Sequence, residues 1–327
     1  MYAFFMWVRN VFYDIGLFRS SSFAVPTIVI GNLSVGGTGK TPHTEYVVEY
    51  LKKNYPVAVL SRGYGRQSKG FQEAGKIPLA ALVGDEPAQI KHKFPDVCVV
   101  VDANRVRGMK TLLARKNPPE VVVLDDAFQH RKLAASFYIL LTPFQNLYSR
   151  DVVLPAGNLR EGKAGAKRAQ IIIVTKCPDQ LSVAAQKSII EELAPTPQQE
   201  VYFTRIGYGL PVGPLTKLDS EPFLLVTGIA DAAPLVAYLQ SKQAVFTHKG
   251  FSDHHQFTTP EIESILGTAK QLGVSQILTT EKDFQRLPID VFLHSGIGLS
   301  YLPIKVEFLN HEARFLHAIS TVVAANR

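Results

Sequence analysis

Only two cysteines occur in 327 residues, Cys98 inside the apolar run "VCVVV" and Cys177 before a proline. So few thiols exclude a disulfide framework and a thiolate zinc site, and reduced cysteines of a cytosolic compartment are expected. Long hydrophobic runs are missing too. The apolar stretch ahead of Arg9 is only about eight residues, too short for a spanning helix, and no small-residue cleavage pattern follows it. No internal period of about 20 to 50 residues is present, which excludes solenoids and propellers. With 46% hydrophobic and 19% charged residues, a disordered or collagen-like chain is excluded as well. The adjacent imidazoles His254 and His255 in "SDHHQF" lack the further ligands, at fixed spacing, that zinc requires. Acidic residues are the scarcer charge, 28 against 35 basic ones, for a net +7. That balance favours anionic partners, whether nucleotides, phospholipid surfaces or nucleic acid, without choosing among them.

What remains is a globular chain long enough for two domains. At its start, Phe4, Phe5, Val8, Val11, Phe12 and Ile15 share one face of a 3.6-residue wheel, and Arg9, Asn10 and Asp14 share another, with Trp7 near the border. Two readings fit this pattern: a helix lying in a membrane interface, or an amphipathic helix packed on the protein's own core.

Beyond it, short β-branched runs alternate with helical patterns. "PTIVIGN", "PVAVLS", "DVCVVV", "EVVVLDD", "SFYILL" and "QIIIVTK" read as strands, and "HTEYVVEYLKK", "DEPAQIKHKF" and "RVRGMKTLLARK" read as helices. This is the signature of an α/β fold with a mainly parallel sheet covered on both faces. The Gly- and Pro-rich stretch 206–222 predicts a linker, after which "FLLVTGIA", "QILTTEKD" and "IKVEFL" describe a second, smaller α/β unit. The expected division is an N-terminal helix in 1–24, a nucleotide domain in 25–205, the linker, and a C-terminal domain in 223–327.

Between the first strand and the next helix lies "SVGGTGKT": Ser34, Val35, Gly36, Gly37, Thr38, Gly39, Lys40 and Thr41. Glycines let backbone N–H groups turn inward, a lysine reaches the β and γ phosphates, and a hydroxyl at a helix N-terminus ligates Mg²⁺. The strict pattern wants glycine where Ser34 stands, but strand and helix flank the loop correctly, so a nucleotide triphosphate such as ATP is expected. "VVVLDDAFQH" ends an apolar strand on Asp125 and Asp126, where the ligand crevice of an open parallel sheet lies, and either carboxylate suits Mg²⁺. Asp85 and Glu86 in "VGDEP" precede a helix, so Asp85 also fits an N-cap. Arg62 and Arg105 stand at strand ends, able to meet an anion or solvent. Arg160, Lys163, Lys167 and Arg168 gather around Glu161 in a basic loop.

Together "VRNVFYDIG", "VGGTGKTP", "SRGYGR", "VGDEP", "LDDAFQHR", "LPAGNLRE", "VTGIA", "FSDHHQF" and "TTEKD" resemble the tetraacyldisaccharide 4'-kinase family of lipid A synthesis, along nearly the whole chain. One departure is Ala127, where many members have glycine; an alanine suits that position if its φ is negative. The resemblance implies a P-loop kinase with two α/β/α domains and the site between them. It implies transfer of the γ-phosphate of ATP, with Mg²⁺, to the 4'-hydroxyl of a lipid disaccharide 1-phosphate. The setting implied is peripheral, at an anionic membrane surface on the cytoplasmic face of the bacterial inner membrane, with no nucleic acid partner. By carry-over, Lys40 and Thr41 serve the phosphate loop, Asp125 and Asp126 the Mg²⁺ side, and Asp85 is the base, paired with a histidine of "DHH", His254 ranking first. Arg105, Arg160 and Glu161 fall near nucleotide and acceptor, with Arg62, Glu86, Gln129 and His255 as further substrate-side candidates.

Competing readings each lack something. A partitioning-type ATPase wants a lysine at Val35, and a GTPase wants Asp two residues after Lys176, whereas Asp179 lies three after it. A nucleotide-gated membrane adaptor that binds ATP without transferring phosphate accounts for the loop and the N-terminal helix, but gives Asp85 and His254 no role.

Overall fold

The computed structural model describes residues 1–76, 79–253 and 255–325, and forms two units: Met1–Ile206 with Val306–Arg327, and Gly207–Lys305. In the first unit β1 (Thr27–Asn32), β2 (Val57–Ser61), β3 (Gln72–Glu73), β4 (Cys98–Val101), β5 (Val121–Asp125), β6 (Phe137–Pro143), β7 (Ile171–Thr175) and β8 (Glu200–Tyr208) join one sheet. Its order is β13-β8-β7-β6-β1-β5-β2-β4-β3, where β13 is Ile304–Phe308. From β4 through β8 the neighbouring strands run parallel, and the short β3 is antiparallel to β4. The chain goes from β1 to one side and returns through β6 to the other, so the sheet reverses direction at β1.

Strand residues alternate between two cores because successive side chains point to opposite faces. Ile28, Ile30, Val121 and Val123 belong to one, Val29, Val122 and Leu124 to the other. Helices α2 (Lys40–Leu51), α4 (Asp85–Lys93) and α11 (Glu312–Ala325) bury Val48, Ile90 and Ile319 in the first core. Helices α5 (Arg105–Leu113) and α6 (Val183–Leu193) bury Met109 and Ile189 in the second. Asn104 and Ser182 start α5 and α6 by accepting the N–H of Arg107 and Ala185. A one-turn helix, α3 (Ala80–Val83), precedes α4.

The second unit is a four-stranded parallel sheet, β10-β9-β11-β12, from β9 (Phe223–Thr227), β10 (Phe246–Gly250), β11 (Gln276–Thr280) and β12 (Gly298–Leu302). Helices α7 (Ala233–Ser241), α8 (Thr259–Gln271), α9 (Glu281–Phe284) and α10 (Ile289–Ser295) complete it. A capping box of Thr258 and Glu261 begins α8.

Two boundaries differ from those expected. The C-terminal strand and helix, expected in the second domain, lie in the first unit. The reason is aromatic packing: the tilted rings of Phe308 and Phe315 lie 4.8 Å apart and meet Tyr202 edge-on at 6.0 and 5.5 Å, while Arg314 pairs with Glu200 at 2.7 Å. Nor is 206–222 a free linker. Val212 bridges to Tyr301, and the fully buried Leu215 donates its N–H to Ser300 Oγ at 2.9 Å.

The N-terminal helix α1 (Tyr2–Asp14) buries none of its residues, so it is not a core helix. Its polar face is the one attached to the first unit: Arg9 donates to the Gln129 carbonyl at 3.0 Å, Asn10 to Glu161 at 2.8 Å, and Asp14 pairs with Arg131 at 2.7 Å. Phe4, Phe5 and Trp7 stay 62 to 64% exposed.

Close backbone packing supports the centre of the sheet. A Cβ added to Gly31 in β1 would sit 2.6 Å from Phe128 Cβ. Gly31→Ala is therefore expected to destabilise the protein by about 1 to 3 kcal/mol, read as a lower urea midpoint with an unchanged m-value.

Candidate active site

The loop after β1 is bent by Gly36 at φ +96 and Gly39 at φ +86, a region that side-chain-bearing residues rarely adopt. Its start is pinned to the basic segment: Val35 donates to the Asn158 carbonyl at 2.8 Å and Arg160 N to Leu33 O at 2.6 Å. Its middle is tied from below, where the buried Asn32 donates to Thr38 Oγ1 at 2.9 Å and Thr175 Oγ1 donates to the Thr38 carbonyl at 2.9 Å. Its end is tied by His43, whose Nδ1 lies 2.7 Å from the Gly39 carbonyl and whose Nε2 lies 3.1 Å from Thr204 Oγ1. Burial lowers the His43 pKa to about 4. Lys40 and Thr41 open α2 at the N-terminal end, where helix N–H groups favour an anion.

β5 brings the two carboxylates. Asp125 shares the face of Val121 and Val123, so it turns toward α2: Thr44 donates to one oxygen at 3.1 Å and Ser61 to the other at 3.3 Å. Desolvation and then the charge of Asp126 push its pKa up to about 6, Lys40 opposes them, and Glu86 adds to the rise. Asp126 follows at φ +47, which swings its carboxylate to Arg160, at 2.9 and 3.1 Å, and to within 3.9 Å of Lys40 Nζ. The positive φ thus falls on Asp126, a residue type that tolerates it, while Ala127 is not among the positive-φ residues.

Among the described residues Arg105, 3% exposed, makes only long contacts, 3.4 Å to the carbonyls of Ala103 and Asp126, and its Nε has no partner there. Burial drops its pKa to about 10. Arg62 is exposed and acts on Arg105 through its charge. Asp85 is the first residue of α4 and Gly84 stands at the N-cap, so Asp85 is not the cap residue; Glu86 follows within electrostatic reach of Asp125. Glu161 is fully buried, with its oxygens taken by Gln129 at 3.0 Å, Arg168 at 2.8 Å and Asn10 at 2.8 Å. Gln129 also donates to the Asn32 carbonyl at 2.7 Å, linking this hub to the root of the loop.

The first unit therefore gathers the loop 34–41, Glu86, Arg105, Asp125, Asp126 and Arg160 at one end of its sheet. In the second unit His255 Nε2 meets Glu261 at 3.0 Å, beside the α8 capping box. His254, expected to pair with Asp85, lies outside the described residues. Asn32, His43, Thr44, Ser61, His130 and Thr175 are missed by motif reading. Thr44, Ser61 and Thr175 meet partners distant in sequence, His43 reaches Thr204 as well as the nearby Gly39, and the polar residues that close the apolar runs of β2 and β7 are the one hint of them in the sequence.

His130 has a buried Nε2 without a partner among the described residues, and burial followed by Arg105, Lys132, Arg9 and Arg62 lowers its pKa to about 4. Between that value and the ordinary 6.5 the unfolded chain binds more protons than the folded one, so this stability is lost as pH falls through the window. His130→Gln is expected to reduce the drop in urea midpoint between pH 6.5 and 4. A pH slope equal to that of the wild type would show that the imidazole is not held neutral.

Known proteins resemble this chain in sequence and fold. The profile of the family described as tetraacyldisaccharide-1-P 4'-kinase matches residues 1–324. The tetraacyldisaccharide 4'-kinase of Flavobacterium johnsoniae is 44% identical over 325 residues, covering 98% of this chain and 93% of that protein. That of Bacteroides thetaiotaomicron is 43% identical over 341 residues, covering 98% and 90%. The crystal structure of "apo" form LpxK from Aquifex aeolicus in complex with ATP superposes with a TM-score of 0.76 at 28% identity, covering 98% and 96%. With a profile match over residues 1–324 and close relatives covered nearly end to end, the chain belongs to the tetraacyldisaccharide-1-P 4'-kinase family.

Proposed function

We propose that the loop 34–41 and the carboxylates ending β5 form the phosphoryl-transfer centre of this ATP-dependent kinase, which phosphorylates the 4'-hydroxyl of a tetraacyl disaccharide 1-phosphate. The observation that carries the assignment is the approach of Lys40 to Asp126, 3.9 Å apart at the N-terminus of α2, with Arg160 on the same carboxylate. Transfer from ATP needs mainly positioning and charge stabilisation. Loop N–H groups and Lys40 bind the phosphates, and Arg105 and Arg160 supply further positive charge. Asp85 accepts the acceptor's proton, a task open to a carboxylate because the hydroxyl loses it late.

The donor set suits Mg²⁺: Thr41 offers a hydroxyl, Asp126 a partly exposed carboxylate, and Asp125 a buried carboxylate whose pKa burial pushes up. Among the described residues no group of three or more His, Cys, Asp or Glu is placed to hold a metal ion. When bound, Mg²⁺ neutralises charge on the phosphates. Asp126 faces Lys40 and is the direct candidate; Asp125, hydrogen-bonded by Thr44 and Ser61, stands behind it.

The reading of α1 as an interfacial helix is supported by its docking through polar residues, which leaves Phe4, Phe5 and Trp7 outward. No described helix is long and apolar enough to cross a membrane. At the foot of α1 lies a cavity of about 610 Å³ bordered by Arg9, Arg19, Arg131 and Lys132 with Tyr13 and Phe18, a setting for an anionic lipid at the cytoplasmic face of the inner membrane.

The deciding experiment incubates the protein with labelled ATP, Mg²⁺ and the lipid disaccharide and follows label into the lipid fraction. Lys40→Ala is expected to lower turnover by about 10² or more with an unchanged melting temperature. Near-normal turnover would remove Lys40 from the centre. Replacing Phe4, Phe5 and Trp7 together by serine is expected to weaken binding to anionic vesicles at least about tenfold without unfolding the chain. Undiminished vesicle binding would overturn the interfacial role of α1.

A further inference from the structure

Two side chains outside every motif hold successive carbonyls of the phosphate loop from behind. Thr175, the last residue of β7 and fully buried, donates its hydroxyl to the Thr38 carbonyl at 2.9 Å. His43, on the first turn of α2 and 3% exposed, has Nδ1 2.7 Å from the Gly39 carbonyl. A carbonyl only accepts, so this contact requires the Nδ1–H tautomer. Nε2 must then accept, and Thr204 Oγ1, fully buried on β8 at 3.1 Å, is the group able to donate to it. The directions along the chain Thr204, His43, Gly39 are thereby fixed, with no freedom left for the ring to flip.

Peptide planarity turns these contacts into an orientation of the loop. In a trans peptide the C=O and the following N–H point in opposite directions. Pinning the Thr38 carbonyl behind the loop aims the Gly39 N–H forward, and pinning the Gly39 carbonyl aims the Lys40 N–H forward. Gly39 at φ +86 has little steric resistance to rotating either plane; the Gly39 carbonyl also accepts the His43 backbone N–H at 3.2 Å, a long bond to which the His43 ring adds a shorter one. The two tethers remove that freedom before any ligand arrives, which lowers the ordering cost of binding.

We propose that His43 and Thr175 are positioning residues for the phosphate site, setting the Thr38–Gly39 and Gly39–Lys40 peptide planes so that two adjacent N–H groups face the ATP phosphates. This rests on the reading of 34–41 as the phosphate loop. Neither residue touches the nucleotide; each acts through a carbonyl on the far side of the loop. His43 adds a link to β8 that the phosphate-loop pattern itself does not contain.

Four variants test it, with ATP affinity measured by calorimetry in Mg²⁺, KM for ATP and for the lipid, kcat, and melting temperature. His43→Leu fills the buried volume but cannot donate; His43→Asn keeps an N–H near the Nδ1 position; Thr175→Val removes the hydroxyl at nearly constant shape. Lys40→Ala reports on the site itself. Loss of one such hydrogen bond is expected to weaken ATP binding about three- to tenfold in His43→Leu and in Thr175→Val, with the lipid KM unchanged. His43→Asn should return to within about twofold of wild type, since it restores the donor to Gly39. Should His43→Leu fail to fold, His43→Asn and Thr175→Val carry the comparison. ATP affinity in Thr175→Val and His43→Leu equal to wild type, while Lys40→Ala loses turnover, would overturn the proposal and leave the site intact. So would equal weakening in His43→Asn and His43→Leu, which would make ring packing and not donation the cause. Full turnover in Lys40→Ala would instead overturn the underlying placement of the phosphate site.

Discussion

The position of β1 between β5 and β6, parallel to both, constrains everything at the candidate site. Register pairs Ile30 with Asp125 across one side and Asn32 with Leu141 across the other. The strand that feeds the glycine loop and the strand that ends in two carboxylates therefore finish side by side, at the switch point where an open parallel sheet leaves a crevice. A slip of one residue would send Asp125 to the opposite face, away from Thr44 and Ser61. The flanking β-branched runs, buried on both faces, make such a slip costly.

Within that frame the two carboxylates acquire different characters from adjacent positions. Asp125 continues the pleat, enters the sheet–helix interface and is desolvated, which raises its pKa. Asp126 leaves the pleat at φ +47 and reaches the cations Lys40 and Arg160. A buried carboxylate and a weakly partnered buried guanidinium, Arg105, are both expensive to keep in an apolar surrounding. Both lie at the end of the sheet that carries the candidate site, a local conflict of the kind that functional sites retain.

The helix at the N-terminus shows a similar division of labour on a larger scale. Its charged face, which in a free surface helix would meet water, is used up by Gln129, Arg131 and the buried Glu161. Glu161 in turn holds Arg168, and Gln129 holds the root of the loop, so one polar network ties the helix to the same end of the sheet. On the apolar face Val8, Val11 and Phe12 are half-buried, while Phe4, Phe5, Trp7 and Ile15 stay exposed.

The alternating β-branched and helical segments, the glycine loop ahead of a helix and the acidic pair at a strand end were legible because each is a local pattern, set by backbone sterics and side-chain periodicity. The wheel likewise separated the two faces of α1. Which face docks was decided by partners more than a hundred residues away, Gln129 and Glu161, and no local period reports them. The same holds for β13 and α11, placed in the first unit by the aromatic cluster of Tyr202, Phe308 and Phe315 and not by their position after the second sheet. It holds too for His43 and Thr175, a helix residue and a strand residue whose roles exist only because β7 and β8 run beside the loop. The sequence alone determined which elements form and what chemistry their ends can offer, since those follow from neighbours along the chain. Tertiary structure decided which polar groups meet, because a buried hydrogen bond is satisfied by whatever the fold brings near it.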